Sequence, residues 1–302
     1  MVYRYYTADV FTDRRFGGNP LAVLPDARGL STEQMLAVTR EFNYSESTFV
    51  LPPEHEGETC RVRIFTPGGE VPFAGHPTVG TAHVLTAIGQ VPLTGDETRL
   101  VLGEGVGPVP VTVHAAGGVP TFAQLSVAQL PTEEAPAADA AAIAGVLSLA
   151  PEDVLGGDYA PRVASCGLPF LLVALRDRDA VRRARVRLDA WEGALRGSTG
   201  SEIMVFAMGA GAGADVHARV FVPGLNVPED PATGSACAAL GGYLAARTPR
   251  DGTVRWVVEQ GVEMGRPSRL EVEADKVGGA IDAVRVGGQS VLVCEGSIDV
   301  GG

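Results

Sequence analysis

One lysine, Lys276, stands among 302 residues, there is no long basic run, and the formal net charge is −12. A nucleic acid or an anionic membrane surface would find no electrostatic footprint on such a chain. A small anionic substrate is not excluded, because one pocket can be locally positive. Four cysteines lie far apart at 60, 166, 237 and 294, and none forms a C-x-x-C pair. That spacing supports no metal-ligand set, so the thiols read as reduced, small hydrophobes. No stretch approaches the roughly 18 apolar residues that a membrane helix needs. The first residues, Met1 to Asp9, contain no apolar signal core. The expectation is a cytoplasmic protein with no membrane or nucleic-acid partner and no metal.

What is present is a core and a repeat. The hydrophobic share of 45% allows a buried core, and 302 residues are enough for two domains or one large one. The segment Arg63-Ile-Phe-Thr-Pro67-Gly68-Gly-Glu-Val71-Pro72-Phe-Ala-Gly75-His76-Pro77-Thr-Val-Gly80-Thr81-Ala82 nearly recurs as Arg219-Val-Phe-Val-Pro223-Gly224-Leu-Asn-Val227-Pro228-Glu229-Asp230-Pro231-Ala-Thr-Gly234-Ser235-Ala236. Arg63 matches Arg219 and His76 matches Asp230, with two residues lost between Pro228 and Glu229. A fainter echo joins Gly18-Asn-Pro20 to Gly167-Leu-Pro169. Self-similarity on this scale points to two related halves. Equivalent segments of paired halves often face each other, which would set His76 and Asp230 on opposite lips of one cleft.

Short segments rich in Val, Ile and Leu read as strands: 61–65, 109–114, 170–175, 203–208, 217–222, 254–259, 270–274 and 291–294. Helices are expected at Ser31 onward, with Ser31 as N-cap and Gln34 completing a capping box, and at 78–88, 140–149, 180–195 and 232–246. The helices after the two repeated motifs carry almost no charge. A helix apolar on every side is buried on every side, so each half should wrap a sheet around a central helix. Their Ala and Gly content lets the sheet approach closely. Gly209–Ala214 superficially resembles a phosphate loop, but it leads into a strand rather than a helix.

Three residues carry candidate chemistry. Glu46 lies among hydroxyls between a helix end and an apolar strand, a kind of junction that often opens into a cleft; an isolated Glu is otherwise a solvated surface residue. His76 precedes Pro77, which pins it extended at a helix start whose free N–H groups suit an anion. Asp230 precedes Pro231 at the second helix start; as a bland reading it is simply an N-cap. Two helix N-termini together could hold a carboxylate and stabilise enolate-like charge.

These residues fall in motifs that resemble the phenazine-biosynthesis PhzF-like family: Phe16-Gly-Gly18-Asn19-Pro20, Asn43-Tyr-Ser-Glu46-Ser-Thr-Phe, Phe73-Ala-Gly75-His76-Pro77-Thr-Val-Gly80-Thr81-Ala, Glu229-Asp230-Pro231-Ala-Thr-Gly234-Ser235-Ala and Gln260-Gly-Val-Glu-Met264-Gly265-Arg266-Pro267-Ser268. The resemblance runs from Tyr3 to about Gly296. It implies an α+β fold of two pseudo-symmetric, diaminopimelate epimerase-like domains, each a barrel-like sheet around a central helix. The first would span 1–118, completed by a C-terminal strand at 289–302, and the second 119–288. It also implies a homodimer that works without a cofactor, and an isomerase similar to trans-2,3-dihydro-3-hydroxyanthranilate isomerase. In that scheme Glu46 moves the proton, His76 and Asp230 assist, and Ser45, Gly75, Gly234 and Ser235 hold the substrate carboxylate. A carboxyl raised toward neutral pKa in an apolar cleft could give up and take back a proton. Related epimerases carry a cysteine at each helix start, where this chain has His76 and Asp230. Epimerase or racemase activity, and a non-catalytic metabolite-binding or interaction role, stay open as alternatives.

Overall fold

A computed structural model describes residues 1–211, 213–225 and 227–301. Ala212, in the expected Gly209–Ala214 turn, and Asn226, in the second repeat copy, lie outside the described residues. The chain divides into two compact units, Met1–Ala128 with Gly287–Gly302, and Gln129–Val286. It is a mixed α/β fold, dominated by sheet.

In the first unit, β1 (Val2–Val10) pairs antiparallel with β2 (Asn19–Leu24). Helix α1 (Thr32–Phe42) then leads to β3 (Glu46–Leu51), which lies parallel to β2. The expected capping box forms, with Ser31 accepting from the Gln34 N–H and Gln34 accepting from the Ser31 N–H. Asn43 ends α1 in the left-handed conformation, which asparagine tolerates. Strand β4 (Cys60–Thr66) runs antiparallel to β3, and short β5 (Gly69–Val71) folds back on it. Helix α2 (Gly75–Ala87) crosses to β6 (Glu97–Glu104), parallel to β4. An antiparallel run through β7 (Gly107–Ala116) and β8 (Val119–Ser126) follows. The unit ends beyond β8 rather than at residue 118, because β7 and β8 form one hairpin, paired from Val111↔Leu125 to Ala116↔Val119.

In the second unit, β9 (Thr132–Glu134) and α3 (Ala140–Val146) precede β10 (Arg162–Ser165), which pairs antiparallel with both β9 and β11 (Pro169–Ala174). Helices α4 (Arg178–Arg183) and α5 (Leu188–Ala194) carry the chain to β12 (Ile203–Gly211), parallel to β11. One continuous helix over 180–195 was the expectation. It is broken because the Arg185 and Arg187 N–H groups donate to the Leu147 and Val146 carbonyls at the end of α3. Strand β13 (Ala214–Val222) pairs antiparallel with β12 and with β14 (Val227–Asp230). Helix α6 (Gly234–Ala246) crosses to β15 (Gly252–Gln260), parallel to β13, and β16 (Ser268–Val277) pairs antiparallel with β15. After β17 (Ala280–Gly288), β18 (Ser290–Asp299) pairs with β1 from Val2↔Asp299 to Val10↔Ser290.

Each unit buries one helix almost whole. Residues 75–86 of α2 are buried, as are Gly234 and residues 236–245 of α6. Glycine makes this possible, as Gly80 and Gly241 show. A Cβ at Gly80 would meet the Leu21 and Val10 side chains at 2.6 Å, and one at Gly241 would meet Val272 at 2.5 Å. The lone lysine has a structural task. Buried Lys276 donates from Nζ to the Ala245 and Thr248 carbonyls, closing the C-terminal end of α6.

Candidate active site

Glu46 is the first residue of β3, and its register partner is Leu21 of β2. The reversal at Asn43 turns the chain out of α1 and into this strand, so the Glu46 carboxylate sits at a strand end, 17% exposed. Ser45, immediately before it, is half-buried. His76 does not precede the helix in an extended conformation, as expected, but lies inside its first turn. Helix α2 begins at Gly75, so Pro77 falls in the turn where no intrahelical N–H bond is needed.

His76 and Glu46 come together. His76 Nε2 lies 3.6 Å from Glu46 Oε2, longer than a hydrogen bond. The imidazole is 4% exposed, and burial pushes its pKa down to about 3, with the Pro20 carbonyl pulling weakly the other way. His76 is therefore a neutral ring at ordinary pH. Its Nε2 has no hydrogen-bond partner, and the Pro20 carbonyl faces the ring. The N-cap of α2 is Ala74, whose side chain cannot cap, and the first turn contains no acid. The N–H of buried Gly75 thus belongs to a helix start that favours negative charge.

The second helix start is built differently. Asp230 is not an N-cap of α6. It is the last residue of β14, 8% exposed, and Oδ2 accepts the Thr233 hydroxyl at 2.6 Å. Thr233 occupies the cap position, but its hydroxyl is committed to Asp230 and makes no cap bond. Gln260 holds the loop from beneath: Oε1 accepts the Thr233 N–H at 3.1 Å, and Nε2 donates to the Asp230 carbonyl at 2.8 Å and to Thr233 Oγ1 at 3.0 Å. Ser268 donates to the Pro231 carbonyl at 2.8 Å. Buried Gly234 and half-buried Ser235 form the first turn of α6, which again has no acid.

Sequence reasoning gave no role to Gln260 or to Glu104. Glu104 ends β6 and meets Thr78 in the first turn of α2 at 2.7 Å. A signal existed, since Glu104-Gly-Val matches Gln260-Gly-Val in the same register as Arg63 and Arg219. Cys237, on α6, is wholly buried, and burial raises its thiol well above the usual range. Cys60 and Cys166 are pushed up to about 12 by burial. None of these three is a thiolate nucleophile. Among the described residues, no three His, Cys, Asp or Glu side chains group as metal ligands, and no helix is long and apolar enough to cross a membrane.

The site thus sets a buried neutral imidazole beside a carboxylate at a helix start that has no side-chain cap. The chain belongs to the phenazine biosynthesis-like protein family, whose model matches residues 8–296. It is 40% identical to an uncharacterized isomerase of Mesorhizobium japonicum, over 97% of this chain and 98% of that one. It is 34% identical to trans-2,3-dihydro-3-hydroxyanthranilate isomerase of Pseudomonas aeruginosa, over 98% of this chain and 99% of the other. Its fold matches that of a PhzF-family phenazine biosynthesis protein from Bacillus anthracis with a TM-score of 0.88, at 24% identity and 99% coverage of both chains. The chain is thus a member of an enzyme family whose relatives are named isomerases.

Proposed function

We propose that this chain is a cofactor-free isomerase that shifts a proton on a small carboxylate-bearing metabolite, a cyclic amino acid or diene similar to trans-2,3-dihydro-3-hydroxyanthranilate. Glu46 is the acid/base. The observation that carries the reading is the 3.6 Å approach of Glu46 Oε2 to His76 Nε2, which has no hydrogen-bond partner. When Glu46 takes a proton from a substrate carbon, its new O–H can turn to Nε2, which accepts and steadies it. Glu46 then returns the proton to another carbon of the conjugated system. One base suffices for such a shift. The α2 start, with Ser45 and Gly75 beside it, is assigned the substrate carboxylate. Asp230, Gly234 and Ser235 are assigned assisting roles in the same turnover on the strength of the sequence repeat.

The two units are, in the same proposal, copies of one ancestral domain. The pairings β1–β2, β2–β3, β3–β4, β4–β5, β4–β6 and β6–β7 recur in order and direction as β10–β11, β11–β12, β12–β13, β13–β14, β13–β15 and β15–β16. Arg63 pairs with Glu70 and lies over Phe65, as Arg219 pairs with Glu229 and lies over Phe221.

The test is proton exchange in deuterated water with cyclic amino-acid and dihydroaromatic acids. Isomerisation is the expected result, with deuterium gained at the receiving carbon in the turnovers where the proton on Glu46 exchanges with solvent before its return. Binding with neither isomerisation nor exchange at any carbon would assign the chain to the non-catalytic class instead.

A further inference from the structure

Glu104 is 2% exposed. Its Oε1 lies 2.7 Å from Thr78 Oγ1, and its Oε2 is buried without a hydrogen-bond partner. The same Thr78 hydroxyl lies 2.8 Å from the Ala74 carbonyl, at the cap of α2. A hydroxyl has one proton to donate. If Glu104 were ionised, the Ala74 carbonyl and the carboxylate would compete for that proton, and one contact would set lone pair against lone pair inside the core. A proton on Glu104 closes the chain instead: Glu104 donates to Thr78, and Thr78 donates to Ala74.

The surroundings supply little compensation. Arg61, the register partner of Gly103, exerts a weak pull but is engaged with Glu54 at 3.6 Å. Glu58 packs against Gly103, and Cys60, opposite Leu102, is an un-ionised thiol. On α2, His76 is neutral. Burial accordingly pushes the Glu104 carboxyl up to about 8.

The repeat supports the same conclusion independently. The residue matching Glu104 is Gln260, which is neutral by chemistry. Its amide donates to Thr233 Oγ1 at the start of α6, the bond that a protonated Glu104 makes to Thr78 at the start of α2.

We infer that Glu104 is a carboxylic acid kept un-ionised in the folded protein, a positioning residue that fastens the first turn of α2 and with it His76 beside Glu46. The positioning role rests on the function proposed for Glu46 and His76; the proton on Glu104 does not.

The test compares wild type with Glu104→Gln. Between the ordinary carboxylate range and about pH 8, the folded state keeps a proton that the unfolded state has lost. Stability contributed by this group therefore falls as pH rises through that window. From pH 5 to pH 8 the wild-type Tm should drop relative to that of E104Q by at least about 3 °C. Parallel curves, or an E104Q chain that does not fold, overturn the inference. The His76 ring resonances should move between pH 7 and 9 in wild type and stay fixed in E104Q. Ring resonances that ignore the Glu104 titration overturn the positioning role. Turnover of E104Q should match wild type at pH 7 and keep its rate above pH 8, where wild type declines. A fully active Glu46→Gln enzyme would sink the catalytic reading alone and leave the melting result standing.

Discussion

His76 Nε2 approaches Glu46 Oε2 to 3.6 Å, and the two side chains differ in exposure, 4% against 17%. Burial fixes the imidazole as neutral, and in the proposed reaction Glu46 is therefore the member of the pair that carries the proton.

Glu46→Gln keeps the shape and hydrogen-bonding capacity of the side chain but cannot cycle a proton. Turnover should fall by roughly 10²–10⁴, with the melting temperature nearly unchanged. Steady-state kinetics with any true substrate, together with a thermal scan, checks this. Near-normal turnover would remove Glu46 from the mechanism.

Acid should weaken the protein through its buried histidines. His83, on α2, is 4% exposed, and burial lowers its pKa from 6.5 to about 4; His76 lies lower still. Below pH 6.5 the unfolded chain gains protons that the folded chain refuses. Stability is then fully present above that pH and is lost as pH falls, by up to about 1.4 kcal/mol per pH unit for each histidine. Denaturant unfolding from pH 7 to pH 4 should show a shallower decline for His83→Gln than for wild type. Equal slopes would mean that His83 is protonated in the folded state.

Both helix starts should capture anions. Neither α2 nor α6 has a side-chain cap or a first-turn acid. Sulfate or a small carboxylate should shift the amide signals of Gly75, Gly234 and Ser235. Amides that stay still while the anion is raised to crystallisation concentrations would count against the carboxylate assignment.

The two repeated arginines should differ sharply in worth. Arg219 is 3% exposed, holds Glu229 through Nε and Nη2 at 2.8 Å, and donates through Nη1 to the Val181, Arg182 and Ala184 carbonyls. Arg219→Ala leaves the largely buried Glu229 carboxylate without its two-pronged partner and takes one donor from each of the three carbonyls, and should cost about 3–5 kcal/mol. Arg63 and Glu70 are partly solvated, so Arg63→Ala should cost about 1 kcal/mol or less. Arg219→Lys should not rescue, because an ammonium cannot form the two-pronged contact. Urea unfolding of the three variants decides; equal losses for the two alanine variants would contradict the assignment of burial.

Much of the local structure was legible in the chain. Alternating Val, Ile and Leu marked the strands, Ser31 and Gln34 marked the start of α1, and the uncharged runs after Pro77 and Pro231 marked the two buried helices. Such signals depend on neighbours a few residues away. The helix expected over 180–195 failed because its break is dictated by carbonyls of Val146 and Leu147, more than thirty residues distant. Asp230-Pro231 looked like a cap and proved to be a strand end, since Gln260 and Ser268 draw that loop onto β15 and β16.

By itself, then, the sequence determined which residues could carry chemistry: Glu46, His76 and Asp230, with a duplicated motif around two of them. Only the tertiary structure decided their states. A histidine is a charged group or a neutral acceptor according to its burial, and His76 became neutral when the sheet closed around α2. Glu104 shows this most plainly, because its sequence setting, between two glycines, assigned it no role. Its meaning came from one hydroxyl, on Thr78 in the first turn of α2, which lies 2.7 Å away. Protonation depends on desolvation and on the donors within reach, and those are properties of packing rather than of the order of residues.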